Sequence, residues 1–178
     1  MDQQWNVPSI IFLDVDGVVN TNPHIHQTKR MGLPTSSHYI QLPEDTLMRL
    51  KRIVMRTGAI LIMSSSWRLG YCGSLPSKSY LNLNAQLAGY GMQLSGWTPR
   101  SSTGSRGQEI QNWLNAYMDL YGLTMCPPYI IIDDSIKDIV EYHRGHIIKT
   151  TLSQGLTDET TVIAINLLQK HRKAVEAV

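Results

Sequence analysis

Three short apolar runs in this chain stop abruptly at clusters of polar side chains, and that pattern restricts the fold more than any other feature. Ser9 to Leu13 runs into Asp14 and Asp16, Ala59 to Met63 into Ser64, Ser65 and Ser66, and Tyr129 to Ile132 into Asp133 and Asp134. Helix-period segments separate the runs, which points to a parallel sheet with helical crossovers. Ligands of such sheets bind beyond the carboxyl ends of the strands, where these clusters fall. A strand-ending aspartate alone is commonly a turn former; three clusters at equivalent strand ends are harder to explain that way. Asp14 and Asp16 share a strand face, so both can reach one pocket, and Gly17 allows the sharp turn that follows. Paired carboxylates at such a place can hold a hard divalent cation and support phosphoryl chemistry.

The remaining elements follow from local pattern. The polar stretch from Asn20 to Gln41 reads as a loop or flap. Pro43, Glu44 and Asp45 open a helix with a buried stripe of Leu47, Leu50, Ile53 and Val54, and Gly58 ends it. A modest helix is expected over Leu81 to Ala88, a third strand near Met92 to Leu94, and a fifth over His146 to Lys149. In Gly107 to Tyr121, Ile110, Trp113, Leu114 and Tyr117 recur at helical spacing. Thr157 caps a last helix with acids in its first turn and bases near its end. The expected fold is a doubly wound, Rossmann-like α/β sheet of about five parallel strands.

At 178 residues the chain is long enough for one domain spanning 1–178 with a substantial core. A formal net charge of +2 does not by itself argue for a nucleic-acid partner. Cys72 and Cys126 form no disulfide framework. The absence of a spanning apolar run and of a secretory signal leads to the expectation of a cytoplasmic protein without a membrane partner.

Asp14-Val15-Asp16-Gly17-Val18 resembles the first motif of the haloacid dehalogenase (HAD) superfamily of phosphatases and phosphotransferases. Ser64 and Ser65 resemble its second motif, Arg106 before the Gly107 helix its third, and Asp133-Asp134-Ser135-Ile136-Lys137-Asp138 its fourth, all in order. The resemblance implies a HAD-like fold and an Mg²⁺-dependent phosphomonoester hydrolase. Asp14 becomes the nucleophile that forms an aspartyl-phosphate. Asp16 becomes the general acid and then the general base. The implied metal set is drawn from Asp14, Asp16, Asp133 and Asp134, with the Val15 carbonyl. Ser65 or Ser64, with Arg106, is implied to hold the phosphoryl oxygens. Related strands end in a threonine before tryptophan at the Ser65 position, which favours that serine. The superfamily often has lysine where Arg106 stands, and Arg100 is the competing cation. Asp133 and Asp134 point to opposite sides if their strand continues, and Asp138 is a candidate support for either.

Ser64-Ser65-Ser66-Trp67-Arg68, Arg106-Gly107-Gln108-Glu109-Ile110 with Trp113-Leu114, and Gly155-Leu156-Thr157 resemble a narrower bacterial and phage branch, associated with RNA-repair (Swiss Army knife) proteins. That raises nucleic-acid ends and nucleotides as phosphorylated substrates. Trp67 and Arg68 are candidate substrate contacts, with Tyr71 and Trp97 near the same mouth; rim or core packing is the alternative. His24, His26 and His38 read as a solvated flap rather than a second metal site. Short inserts predict a minimal cap and an open site. The alternatives are a small-metabolite phosphatase and a non-catalytic phosphate-binding interaction module, while oligomeric state stays open.

Overall fold

The computed structural model describes residues 7–69, 76–102 and 104–177. Five strands form one sheet: β1 (Ile10–Leu13), β2 (Ile60–Met63), β3 (Leu94–Trp97), β4 (Tyr129–Asp133) and β5 (Ile147–Lys149). Their spatial order is β3-β2-β1-β4-β5 and every pairing is parallel. The chain steps from β1 to β2 on one side, then returns to place β4 on the other. The strand order therefore reverses between β1 and β4, which opens a crevice at their carboxyl ends.

Alternation along each strand divides the core. Ile11 and Leu13 face one layer, with Leu61, Met63, Ile130 and Ile132. That layer is closed by α2 (Glu44–Thr57), α3 (Lys78–Gly89) and α6 (Asp158–Glu176), through side chains such as Leu50, Leu83 and Leu168. Ile10 and Phe12 face the opposite layer, where α4 (Arg106–Tyr121) contributes Ile110 and Leu114. All four residues of β1 are fully buried, as expected of a central parallel strand covered on both faces. Phe12 meets Trp113 and Tyr129 edge-to-face, with centroids 5.3 and 6.0 Å away. The final helix begins with a capping box of Thr157 and Thr160. None of the described helices is long and apolar enough to cross a membrane.

Two expectations are corrected. The stretch from residue 20 to 41 is not a loop throughout, because α1 (Asn22–Arg30) occupies its first part. Thr28 is its only buried residue, so no apolar stripe announced the helix. The segment after α1 is tied to α3. Ser37 Oγ lies 2.6 Å from Ser79 Oγ, Asn82 Nδ2 donates to Ser37 O and Ile40 O, and Gln86 clamps the Ile40 carbonyl and the Leu42 N–H. The third strand starts at Leu94 rather than Met92. Gly91, at φ 74°, still belongs to the turn, and the strand begins where Asn84 Oδ1 receives the Leu94 N–H at 2.8 Å. A short helix, α5 (Val140–His143), follows β4 and had no sequence counterpart.

Candidate active site

β1 delivers Asp14 into the crevice and then turns. The Val15 carbonyl accepts the N–H groups of Val18, Val19 and Asn20 at 2.9 to 3.1 Å, while the Gly17 N–H donates to Asn20 O at 2.7 Å. Gly17 has φ 77°, and a Cβ there would lie 2.6 Å from Asp134 Cγ, so a side chain is excluded by both backbone and space. The tight turn thus lets the loop after β4 approach the loop after β1. Asp14, Asp133 and Asp134 each offer a carboxylate oxygen, all within 4.8 Å of one another.

Arg106 stands between two of these acids. Its Nη1 is 3.1 Å from Asp14 Oδ1 and 2.5 Å from Asp133 Oδ2. Its own N–H donates to Asp138 Oδ2 at 2.6 Å, which holds the start of α4 against the loop after β4. Gly107 is needed for that approach, since a Cβ would fall 2.4 Å from Asp138 O. Beneath it, buried His143 donates from Nε2 to Gly107 O at 2.8 Å, and its Nδ1 accepts the Tyr129 hydroxyl at 3.0 Å. Burial lowers the affinity of this imidazole for a second proton.

Burial also dominates the acids. Asp14 is pushed from its ordinary 3.8 up to about 7 by desolvation, which outweighs the pull of Arg106, and neighbouring Asp133 adds to the rise. Asp133 is raised for the same first reason. Burial disfavours the charged form of Arg106, but Asp14 and Asp133 more than offset it and hold the guanidinium charged. The crevice therefore concentrates more negative charge than one arginine neutralises, and all its donors are hard oxygens. Those are the properties a divalent cation such as Mg²⁺ requires.

From β2, the Ser65 hydroxyl hydrogen-bonds to Asp14 and also caps the following 3₁₀ turn, Ser66–Arg68. That turn positions Trp67, whose Nε1 donates to Asp16 Oδ2 at 2.8 Å. Asn20 Nδ2 donates to Asp16 Oδ1 at 2.7 Å, so each oxygen of Asp16 has its own donor. The profile of the family described as the HAD domain in Swiss Army Knife RNA repair proteins matches residues 10–161. That span begins with β1, ends in the first turn of α6 and takes in every group just described. The chain belongs to this family.

No curated protein matches the chain, and no solved structure does. Membership brings a phosphatase-type activity and a phosphorylated substrate in general terms; HAD domains are generally Mg²⁺-dependent, and the trio of Asp14, Asp133 and Asp134 could hold a metal ion. Within this HAD domain Asp14, Ser65, Arg106, Asp133 and Asp134 converge on one crevice. Asp16 stands beside it, outside the carboxylate trio. Ser64 does not join them: it is fully buried, and its hydroxyl has no hydrogen-bond partner among the described residues. The Val15 carbonyl is not a metal ligand here, because three turn amides occupy it.

Arg68, expected as a substrate contact, has its donors engaged within the protein. Its Nε donates to Thr98 O at 3.0 Å, its Nη1 to Ser65 O at 2.7 Å, and its Nη2 pairs with Glu109. Trp67 is 6 % exposed, its Nε1 is taken up by Asp16, and its ring forms part of the lining of an adjoining cleft. Trp97 packs edge-to-face on Tyr80, and Tyr71, like Cys72, lies outside the described residues. His24 is taken up by the Gln41 carbonyl and Thr28. Sequence reasoning missed Asn20, Glu109 and His143. Glu109 carried one usable signal, a carboxylate on the apolar side of α4, where burial demands a cationic partner.

Proposed function

We propose that this HAD domain is an Mg²⁺-dependent phosphomonoesterase that works through an aspartyl-phosphate on Asp14, with nucleotides and RNA ends as its substrate field. The observation that carries the reading is the convergence of Asp14, Ser65, Arg106 and the Asp133/Asp134 pair in one buried crevice at the strand-order reversal. The family description brings RNA into that field.

Asp14, Asp133 and Asp134 would hold the cation, which supplies positive charge that ionises Asp14 and offsets its repulsion of a phosphate. Arg106 and Ser65 orient the phosphoryl oxygens as charge shifts onto them. An Asp14 oxygen then attacks phosphorus, the bond to the ester oxygen breaks, and Asp16 gives that oxygen its proton. In the second half, Asp16 takes a proton from water as that water attacks phosphorus. The acyl-phosphate bond breaks, which regenerates Asp14 and releases inorganic phosphate. Asn20 and Trp67 fix Asp16 for both transfers. Intact Asp14 and Asp16 weigh against a purely phosphate-binding module, which needs neither.

The test is hydrolysis of an aryl phosphate with Mg²⁺ or EDTA, by wild type and Asp14→Asn. Wild-type turnover abolished by EDTA and reduced at least roughly thousandfold by Asp14→Asn is expected. Activity that survives the substitution overturns the nucleophile assignment. Oligonucleotides phosphorylated at either end, assayed beside free nucleotides, place the substrate within the field.

A further inference from the structure

An open cleft of about 480 Å³ lies on the Asp16 side of the crevice, within the roughly 300–1,000 Å³ range of small-ligand sites. Asn20, Asn22, Ser37 and Ser79 give it amide and hydroxyl groups, while Trp67 and Leu152 give it apolar surface. Its lining contains no lysine or arginine among the described residues; Asp16 and the exposed His38 are its titratable groups. Across Ser66, a second hollow of about 260 Å³ is lined by Arg100 and Arg106, by Arg68 paired with Glu109, and by Asp138. Arginines thus stand on one side of the reacting centre, together with acids, whereas the lining on the other side has hydrogen-bonding groups and no cation among the described residues.

Asn20 adds an independent observation. It is 3 % exposed, and although its amide nitrogen serves Asp16, its Oδ1 has no hydrogen-bond partner among the described residues. A buried amide oxygen without a donor costs stability, and the residue that carries it is one of those lining the cleft. The wall opposite is not a loose flap, since Ser37 and Ile40 are tied to α3 by four hydrogen bonds.

We infer that the cleft receives the alcohol half of the substrate, and that this half is an uncharged, hydrogen-bonding ring group of nucleoside or sugar size. The inference rests on the phosphomonoesterase reading, because Asp16 must face the departing oxygen. It narrows that reading from nucleic-acid ends to mononucleotides or sugar monophosphates. A second phosphate on the same ring enters a cleft whose described lining has no cation, so it loses hydration with nothing to replace it.

The experiment compares kcat/KM for adenosine 5′-monophosphate and fructose 6-phosphate with adenosine 3′,5′-bisphosphate and fructose 1,6-bisphosphate, using acetyl phosphate as a reference that leaves the cleft empty. At least one monophosphate is expected to exceed its bisphosphate about tenfold or more, and which one does so separates nucleoside from sugar. Leu152→Trp, at an exposed cleft position, is expected to lower the preferred monophosphate relative to acetyl phosphate by about tenfold. Asn22→Lys, also exposed, is expected to improve the bisphosphate relative to the monophosphate. Bisphosphates used as well as monophosphates, or ratios unmoved by both variants, overturn the inference. Wild type that fails on acetyl phosphate as well defeats the phosphomonoesterase reading instead. The cleft is then judged by calorimetric titration with adenosine and with fructose: binding weakened by Leu152→Trp upholds it, and no binding at millimolar concentration overturns it.

Discussion

At the scale of single residues, the site works by assigning donors to carboxylates. Asp14 has Arg106 and Ser65, whereas Asp16 has Asn20 and Trp67 and no cation among the described residues. The two acids of one motif therefore stand in different electrostatic settings, as nucleophile and proton carrier require. Trp67 is a positioning residue in this arrangement, because it touches Asp16 and not the phosphate. Trp67→Phe keeps the ring and removes the N–H donor. It is expected to reduce kcat for an alkyl phosphate about ten- to hundredfold with KM little changed. The loss for p-nitrophenyl phosphate should be much smaller, since that leaving group departs without a proton. Equal losses on both esters would indicate that the indole only supports the fold.

At the scale of elements, the turn after β2 and the first turn of α4 are joined by the Arg68–Glu109 pair. Both side chains are nearly buried, at 6 % and 5 % exposure, and Glu109 also accepts the Ser101 N–H at 2.9 Å. Arg68 in turn holds the Ser65 carbonyl, so the pair fixes Ser65, the proposed phosphate contact, relative to Arg106. Glu109→Ala leaves a buried guanidinium without its counter-charge and is expected to cost about 3–5 kcal/mol in urea unfolding. Arg68→Met with Glu109→Leu, which removes both charges, should cost less than Glu109→Ala alone. A double variant at least as unstable as the single one refutes this account.

At the scale of the whole molecule, the parallel sheet collects acids at one buried place, and metal binding becomes linked to protons. Asp14 holds its proton up to about pH 7 in the folded chain but only to its ordinary 3.8 when unfolded. Its contribution to stability is therefore complete below 3.8 and is lost as pH rises through about 7. Asp133 shifts in the same direction. A cation binds the ionised carboxylates, so it must displace this proton at low pH and need not above pH 7. Thermal melts are expected to show a larger Mg²⁺-induced rise in Tm at about pH 8 than near pH 5. An equal rise at both pH values would mean that the carboxylates are not the ligands.

Much of this organisation was legible beforehand, for a physical reason. β1, β2 and β4 are continuous apolar runs because their parallel neighbours and two helical layers bury them, and each run stops where the chain meets the crevice. Local sequence thus determined the α/β alternation, the caps at Gly58 and Thr157, and the candidates Asp14, Asp16, Ser65, Arg106, Asp133 and Asp134. It could not reveal α1, which buries only Thr28 and so carries no apolar stripe to read. Nor could it tell free arginine from paired arginine, because neighbours contributed by other strands and helices make that distinction. Only the tertiary structure decided that Arg68 pairs with Glu109, that Trp67 and Asn20 bond to Asp16, and that no lysine or arginine among the described residues lines the cleft beyond them. Sequence placed the charges in order along the chain; long-range packing determined which of them meet, and which are already satisfied.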